Sequence, residues 1–96
     1  MNVVGLDVGG ANIKCSDADG KATSVSFPMW QEKDRLSSVL RQLLESCSRP
    51  DLVALTMTGE LADCFLTKSE GVDFIVRSVQ SASGAVPLRV WMTARI

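Results

Sequence analysis

Histidine is absent from the 96 residues. With it goes every scheme in which an imidazole carries the proton: Ser-His-Asp triads, Cys-His pairs and histidine acid–base catalysis. Any chemistry must rest on carboxylates, lysine, arginine or a metal ion. Zinc is poorly served, because the three cysteines, Cys15, Cys47 and Cys64, are odd in number and widely spaced. They are expected to be reduced, with Cys47 on a core-facing helix position. Charge of one sign is not in excess: 10 basic and 11 acidic residues scatter without runs to a net −1. Neither nucleic acid nor an anionic membrane surface is therefore an expected partner. No apolar run approaches the roughly 20 residues of a membrane span, and no basic segment with an apolar core opens the chain. A cytoplasmic location is expected. Repeats, low-complexity stretches and linkers are missing too, and the length suits one domain over 1–96 with a single modest core.

What is present is organised around GLDVGGANIK, residues 5–14. An apolar strand runs into Asp7, then the pair Gly9-Gly10, then a second strand carrying Lys14. Glycines let an anion approach consecutive backbone N–H groups. A carboxylate beside that anion repels it unless a divalent cation lies between, so Mg²⁺ with phosphate is the natural ligand pair. The alternative is a tight hairpin whose glycines only satisfy positive φ angles. Both the dinucleotide fingerprint and the P-loop need a helix directly after the glycines, and neither GxGxxG nor GxxxxGK[ST] occurs.

The remaining chain predicts β-β-β-α-β-α-β. Val3, Val4, Leu6 and Val8 suit a central strand covered on both faces. A short strand follows to the Asp19-Gly20 turn signal, and an alternating outer strand runs over 21–27. Leu36, Val39, Leu40, Leu43, Leu44 and Cys47 fall at helical spacing within 33–47, a stripe better read as core than as a partner seam. Leu52, Val53, Ala54, Leu55 and Met57 form a second buried strand, expected to lie parallel to the first in a mixed sheet. If the two are neighbours, Asp7 and Thr58-Gly59-Glu60 share one sheet edge, where open α/β sheets collect ligands. Thr58 as a cap, with Glu60 or Asp63 favouring a helix N-terminus, is the competing explanation. Thr67 and Glu70 have capping-box spacing ahead of a helix over 70–83, although the triplet Phe74-Ile75-Val76 also suits a strand. A last strand occupies 86–92, alternating Leu88, Val90 and Met92 with Arg89 and Trp91.

This element order, with an Asp and glycines between the first two strands, is similar to the ribonuclease H-like fold of the actin, sugar-kinase and heat-shock ATPase superfamily. On that likeness the chain is the first lobe of an actin-like ATPase fold, and GLDVGGAN looks like its first phosphate loop. Two segments together, GLDVGGANIK at 5–14 and TMTGELADCF at 56–65, resemble the hydantoinase/oxoprolinase-related, tetrahydromethanopterin-linked C1-transfer proteins, which include synthases of methanofuran biosynthesis. The resemblance implies condensation of an aminomethylfuran diphosphate with a phenol, a transferase role in one-carbon metabolism. It implies a metal at Asp7 and phosphate held by Gly9, Gly10, Ala11, Asn12, Lys14, Thr58 and Gly59. Proton transfer would fall to Glu60 and Asp63. Mg²⁺ is the implied cofactor, with ATP or a diphosphate as the phosphorylated small molecule. An ATP-dependent kinase or hydrolase of the same superfamily and a non-catalytic assembly module are the other classes in play. Members of the family carry a second lobe with its own DxG motif, which this chain lacks. The expectation is a truncated N-terminal lobe, an unusually short gene product or one part of a split protein, inactive alone, that self-associates or joins a missing second lobe.

Overall fold

A computed structural model describes residues 2–47, 50–58 and 64–91. Three strands open the chain as an antiparallel meander: β1 (Val3–Val8), β2 (Asn12–Ser16) and β3 (Ala22–Ser26). The turn between β2 and β3 follows its residue chemistry. Gly20 takes φ 86°, and the Asp17 carboxylate accepts the N–H groups of Asp19 and Lys21, each at 3.0 Å.

The chain then passes through Pro28 into α1 (Met29–Glu32), a 3-10 turn (Lys33–Arg35) and α2 (Leu36–Glu45). The helix expected over 33–47 thus starts earlier, is interrupted, and stops two residues sooner. Proline suits a helix start, and the Pro28 carbonyl accepts from Gln31 and Glu32. Residues 31–35 are all polar, so no buried side chain holds that turn in α register. It tightens to 3-10 instead, pinned by an Arg35–Glu32 ion pair and by Lys33 Nζ 5.6 Å from the ring centres of both Phe65 and Phe74.

Strand β4 (Leu52–Met57), helix α3 (Lys68–Ser83) and strand β5 (Leu88–Trp91) complete the fold. The sheet order is β3-β2-β1-β4-β5, with β1, β4 and β5 mutually parallel. Helix α3 begins two residues before its expected start. Thr67 caps it, its Oγ1 accepting from the Glu70 N–H at 3.0 Å while Glu70 Oε1 accepts from the Leu66 N–H at 3.2 Å. Phe74, Ile75 and Val76 lie inside it, so the strand alternative fails. Gly84, at φ 62°, stops it.

One buried cluster joins Val4, Leu6 and Val8 of β1 to Ile13, Cys15, Val53, Leu55 and Met57, and to Leu36, Leu40, Leu43, Leu44, Ile75 and Val79 of the helices. Both helices therefore cover the same sheet face. The reason is topological: β1, β4 and β5 follow in one direction across the sheet, so two right-handed crossovers land on one side. Strand β1 is consequently not covered on both faces. Among the described residues Val3, Gly5 and Asp7 face a side that carries no helix, and they remain half-buried. At the far rim Val90, expected inside, stays 40% exposed on the edge strand. Among the described residues no helix is long and apolar enough to cross a membrane.

Cys15 gives this core a pH limit. Burial first, then the neighbouring Cys47 thiol, push its thiol from 9.0 up to about 12. Below pH 9 the folded and unfolded chains both hold the proton and stability is intact. From pH 9 to pH 12 the unfolded chain ionises first, so stability falls as pH rises, with a slope approaching that of one proton. Melting midpoints across that interval should fall in the wild type and fall less steeply in Cys15→Ala.

Candidate functional site

Asp7 and Thr58, both singled out in the sequence, lie at the carboxyl ends of β1 and β4. The parallel register pairs Asp7 with Thr56 and Val8 with Met57, and the Thr58 N–H donates to the Val8 carbonyl at 3.0 Å, holding the two strand ends together. Asp7 and Thr58 thus share the edge expected of them. Gly59, Glu60 and Asp63 lie outside the described residues.

Between β1 and β2 the turn is tight, with Gly10 and Ala11 at its tip and the Gly9 N–H donating to the Asn12 carbonyl at 2.9 Å. Neither Gly9 nor Gly10 takes a positive φ; only Gly20 and Gly84 do among the described residues. The two glycines answer different needs. A Cβ on Gly9 would stand 3.0 Å from the Asn12 carbonyl oxygen and 3.5 Å from Thr58 Oγ1, whereas one on Gly10 would meet nothing within 4 Å. Gly9 permits close packing inside the turn, and Gly10 leaves the approach from outside open.

The exit from β3 fixes which way the turn faces. The Phe27 N–H donates to the Ala11 carbonyl at 2.7 Å and the Met29 N–H to the Gly10 carbonyl at 3.0 Å. In a trans peptide the N–H points opposite the carbonyl, so the Ala11 N–H is directed away from that clamp. Among the described residues neither the Gly10 nor the Ala11 N–H has a partner. The Gly9 N–H is already used inside the turn, leaving Gly10 and Ala11 as donors without a partner among the described residues.

On the uncovered face the strand pairings align Ser24, Lys14, Asp7, Thr56 and Trp91 in one row across all five strands. Asp7 is half-buried and the other four are exposed. Lys14 sits one strand from Asp7, yet the two form no ion pair among the described residues. A trough of about 620 Å³ runs beside this row, floored by Gly5 and Ala54 and walled by Trp91. Thr56, Ser24 and Trp91 were not among the residues expected in the site. The alternation of β4 carried the signal for Thr56: with Val53, Leu55 and Met57 facing the core, it must face out beside Asp7.

Phe65, near the end of the second motif, is a packing residue: it is 8% exposed with its ring 5.5 Å from that of Phe74. The Cys64 thiol donates to the Met29 carbonyl at 3.6 Å. Among the described residues no group of three or more His, Cys, Asp or Glu side chains converges on a metal-sized space. The oxygens near Asp7 are one carboxylate and neighbouring hydroxyls. That set fits Mg²⁺, which keeps several waters and is commonly held by one or two carboxylates together with substrate phosphates.

No protein-family model matches the chain. It is 43% identical over 83 residues to the (4-{4-[2-(gamma-L-glutamylamino)ethyl]phenoxymethyl}furan-2-yl)methanamine synthase of Methanocaldococcus jannaschii, a match covering 83% of this chain and 24% of that protein. The chain thus spans about a quarter of the length of that curated relative. Among solved structures, RuvC of Thermus thermophilus in complex with a Holliday junction substrate superposes with a TM-score of 0.66 at 18% identity, covering 96% of this chain and 64% of that one. A second structure of Thermus thermophilus RuvC gives 0.61 at 19% identity, with the same coverage. At such identities the likeness speaks of fold alone. In backbone the chain has the ribonuclease H-like fold, and in sequence it is similar to part of a furan-2-yl methanamine synthase.

Proposed function

We propose that this chain is the phosphate-holding lobe of a Mg²⁺-dependent synthase of methanofuran biosynthesis, in which an aminomethylfuran diphosphate is joined to a phenol. The observation that carries this reading is the shared edge of β1 and β4. The turn that leaves β1 keeps two N–H groups, at Gly10 and Ala11, without a partner among the described residues, and the Asp7 carboxylate and the hydroxyls of Thr56 and Thr58 belong to the same pair of strand ends. The similarity to the synthase from Methanocaldococcus jannaschii supplies the chemical direction.

In this reading the phenolic oxygen forms a bond to the furan-bearing methylene carbon as the bond from that carbon to the diphosphate oxygen breaks. Diphosphate leaves, and the phenolic proton passes to Glu60 or Asp63. The Gly10 and Ala11 N–H groups bind the departing oxygens, and Lys14 adds a point charge from the next strand. Asp7, with the Thr56 hydroxyl, would hold Mg²⁺, and the ion would supply positive charge against the leaving diphosphate. The chain serves as the first lobe of a two-lobed, actin-like arrangement in the cytoplasm, and a second lobe closes the site.

Titration calorimetry of the 96-residue chain with diphosphate tests the binding half. Binding should require Mg²⁺ and weaken by at least about tenfold, or ~1.4 kcal/mol, in Asp7→Asn. Binding that ignores both the metal and that substitution would overturn the assignment of Asp7. In a protein extended to the length of the relative, diphosphate release should accompany C–O bond formation. ATP turnover without that bond would replace this reading with a kinase or hydrolase.

A further inference from the structure

The two sulfurs of Cys15 and Cys47 lie 3.2 Å apart, close enough for a thiol–thiol hydrogen bond. They come from distant parts of the chain, one on β2 and the other two residues beyond the end of α2. Bonded sulfurs sit about 2.05 Å apart, so an approach of roughly 1 Å would join them. Cys47 is placed to supply that movement because it lies outside the helix, held by its N–H to the Leu44 carbonyl at 3.2 Å. Cys15 belongs to a central strand of the buried cluster.

Access to the two sulfurs is unequal. Cys15 is 3% exposed, whereas Cys47 is half-buried and lines a surface cleft of about 430 Å³ with Arg41, Glu45, Pro50 and Ser83. A small polar oxidant in that cleft meets Cys47 first. The third cysteine, Cys64, takes no part in this contact, its thiol being directed at the Met29 carbonyl.

We propose that Cys15 and Cys47 form a peroxide-responsive dithiol site, in which Cys47 is the attacking sulfur and Cys15 the resolving one. In the first step the Cys47 sulfur attacks one oxygen of hydrogen peroxide and the O–O bond breaks. This gives a Cys47 sulfenic acid and one water. In the second, the Cys15 sulfur attacks the Cys47 sulfur, the S–O bond breaks, and the departing hydroxide takes up the Cys15 proton to leave as a second water. The protein loses two protons and two electrons, and peroxide is reduced to two waters. An added dithiol reductant reverses the change by thiol–disulfide exchange. Burial keeps Cys15 protonated at neutral pH, which disfavours it as the sulfur that meets peroxide first.

The product ties β2, the strand bearing Lys14, to the end of α2. This site is independent of phosphate binding and stands or falls separately from it.

Dilute hydrogen peroxide added to the full chain at neutral pH, followed by thiol counting in denaturant, tests the proposal. Titratable thiols should fall from three to one. The intact mass should drop by two hydrogens with no crosslinked dimer, and peptide mapping should find Cys15 joined to Cys47. Reductant should restore all three thiols. Cys64→Ser should behave as wild type apart from its missing thiol, and Cys47→Ser should form no crosslink. Three thiols surviving peroxide, a crosslink through Cys64, or a Cys47 sulfinic acid beside a free Cys15 would each overturn the proposal.

Discussion

Phe27→Ala should lower stability by about 3–5 kcal/mol, the usual cost of emptying a buried aromatic site. Phe27 is 2% exposed and lies immediately past β3, where the chain turns towards α1. A domain of this size commonly has about 5–15 kcal/mol in total, so the variant would sit near the threshold of folding. Each kcal/mol moves the midpoint of a domain this small by about 4–8 °C, so the melting temperature should fall by at least roughly 12 °C. The damage should also reach the turn at residues 9–11. The Phe27 and Met29 N–H groups hold the Ala11 and Gly10 carbonyls, and the packed ring anchors the backbone from which those donors come. Where Phe27→Ala still folds, hydrogen exchange at the Met29 and Gly9 amides, whose N–H groups close the clamp and the turn, should speed up beyond what the global loss explains. A loss below about 1 kcal/mol would mean that the ring is not packed as described.

The elements that could be read from sequence were those whose local chemistry and tertiary role agree. Asp19-Gly20 requires φ above zero and takes it, and Thr67 with Glu70 makes a cap. The apolar runs of β1 and β4 are parallel neighbours as their composition suggests. Where the sequence misled, tertiary geometry decided. Val3 and Leu52 made their strands look buried on both sides, but two crossovers in the same direction put α2 and α3 on one face. Lys33–Arg35 have ordinary helix-forming composition, yet with no apolar side chain to hold them they adopt a 3-10 turn.

The candidate site divides along the same line. Asp7, the glycine pair and Thr58 were visible as residue types at the ends of apolar runs. Thr56 and Trp91 join the row only through strand register, which depends on pairing β1 with β4 and β4 with β5, two strands far along the chain. Nor could sequence assign separate duties to Gly9 and Gly10. Both allow close backbone approach in principle, and only the positions of Asn12 and Thr58 show that one gap faces inward and the other outward.

That division leads to the second large effect. Gly9→Ala should cost about 1–3 kcal/mol, as overpacking does, because its methyl would press on a backbone oxygen that cannot swing aside. The Asn12 carbonyl at 3.0 Å is itself held by the Gly9 N–H, so relieving the contact weakens the hydrogen bond that closes the turn. A fall in melting temperature of about 4–8 °C for each kcal/mol lost is expected, and Mg²⁺-diphosphate affinity should fall with it. Gly10→Ala should behave oppositely in stability. Its methyl meets nothing within 4 Å and its φ is not in the glycine-only region. Restricting the unfolded chain should leave stability unchanged or raise it by up to about 1 kcal/mol. Its effect should appear in binding, since the new methyl stands where phosphate oxygens would approach the Gly10 and Ala11 N–H groups. A loss on the order of tenfold in diphosphate affinity, ~1.4 kcal/mol, is expected with no loss of fold. If Gly10→Ala bound diphosphate as the parent does while Gly9→Ala lost only stability, the turn would be a structural hairpin, and Asp7 would need another explanation.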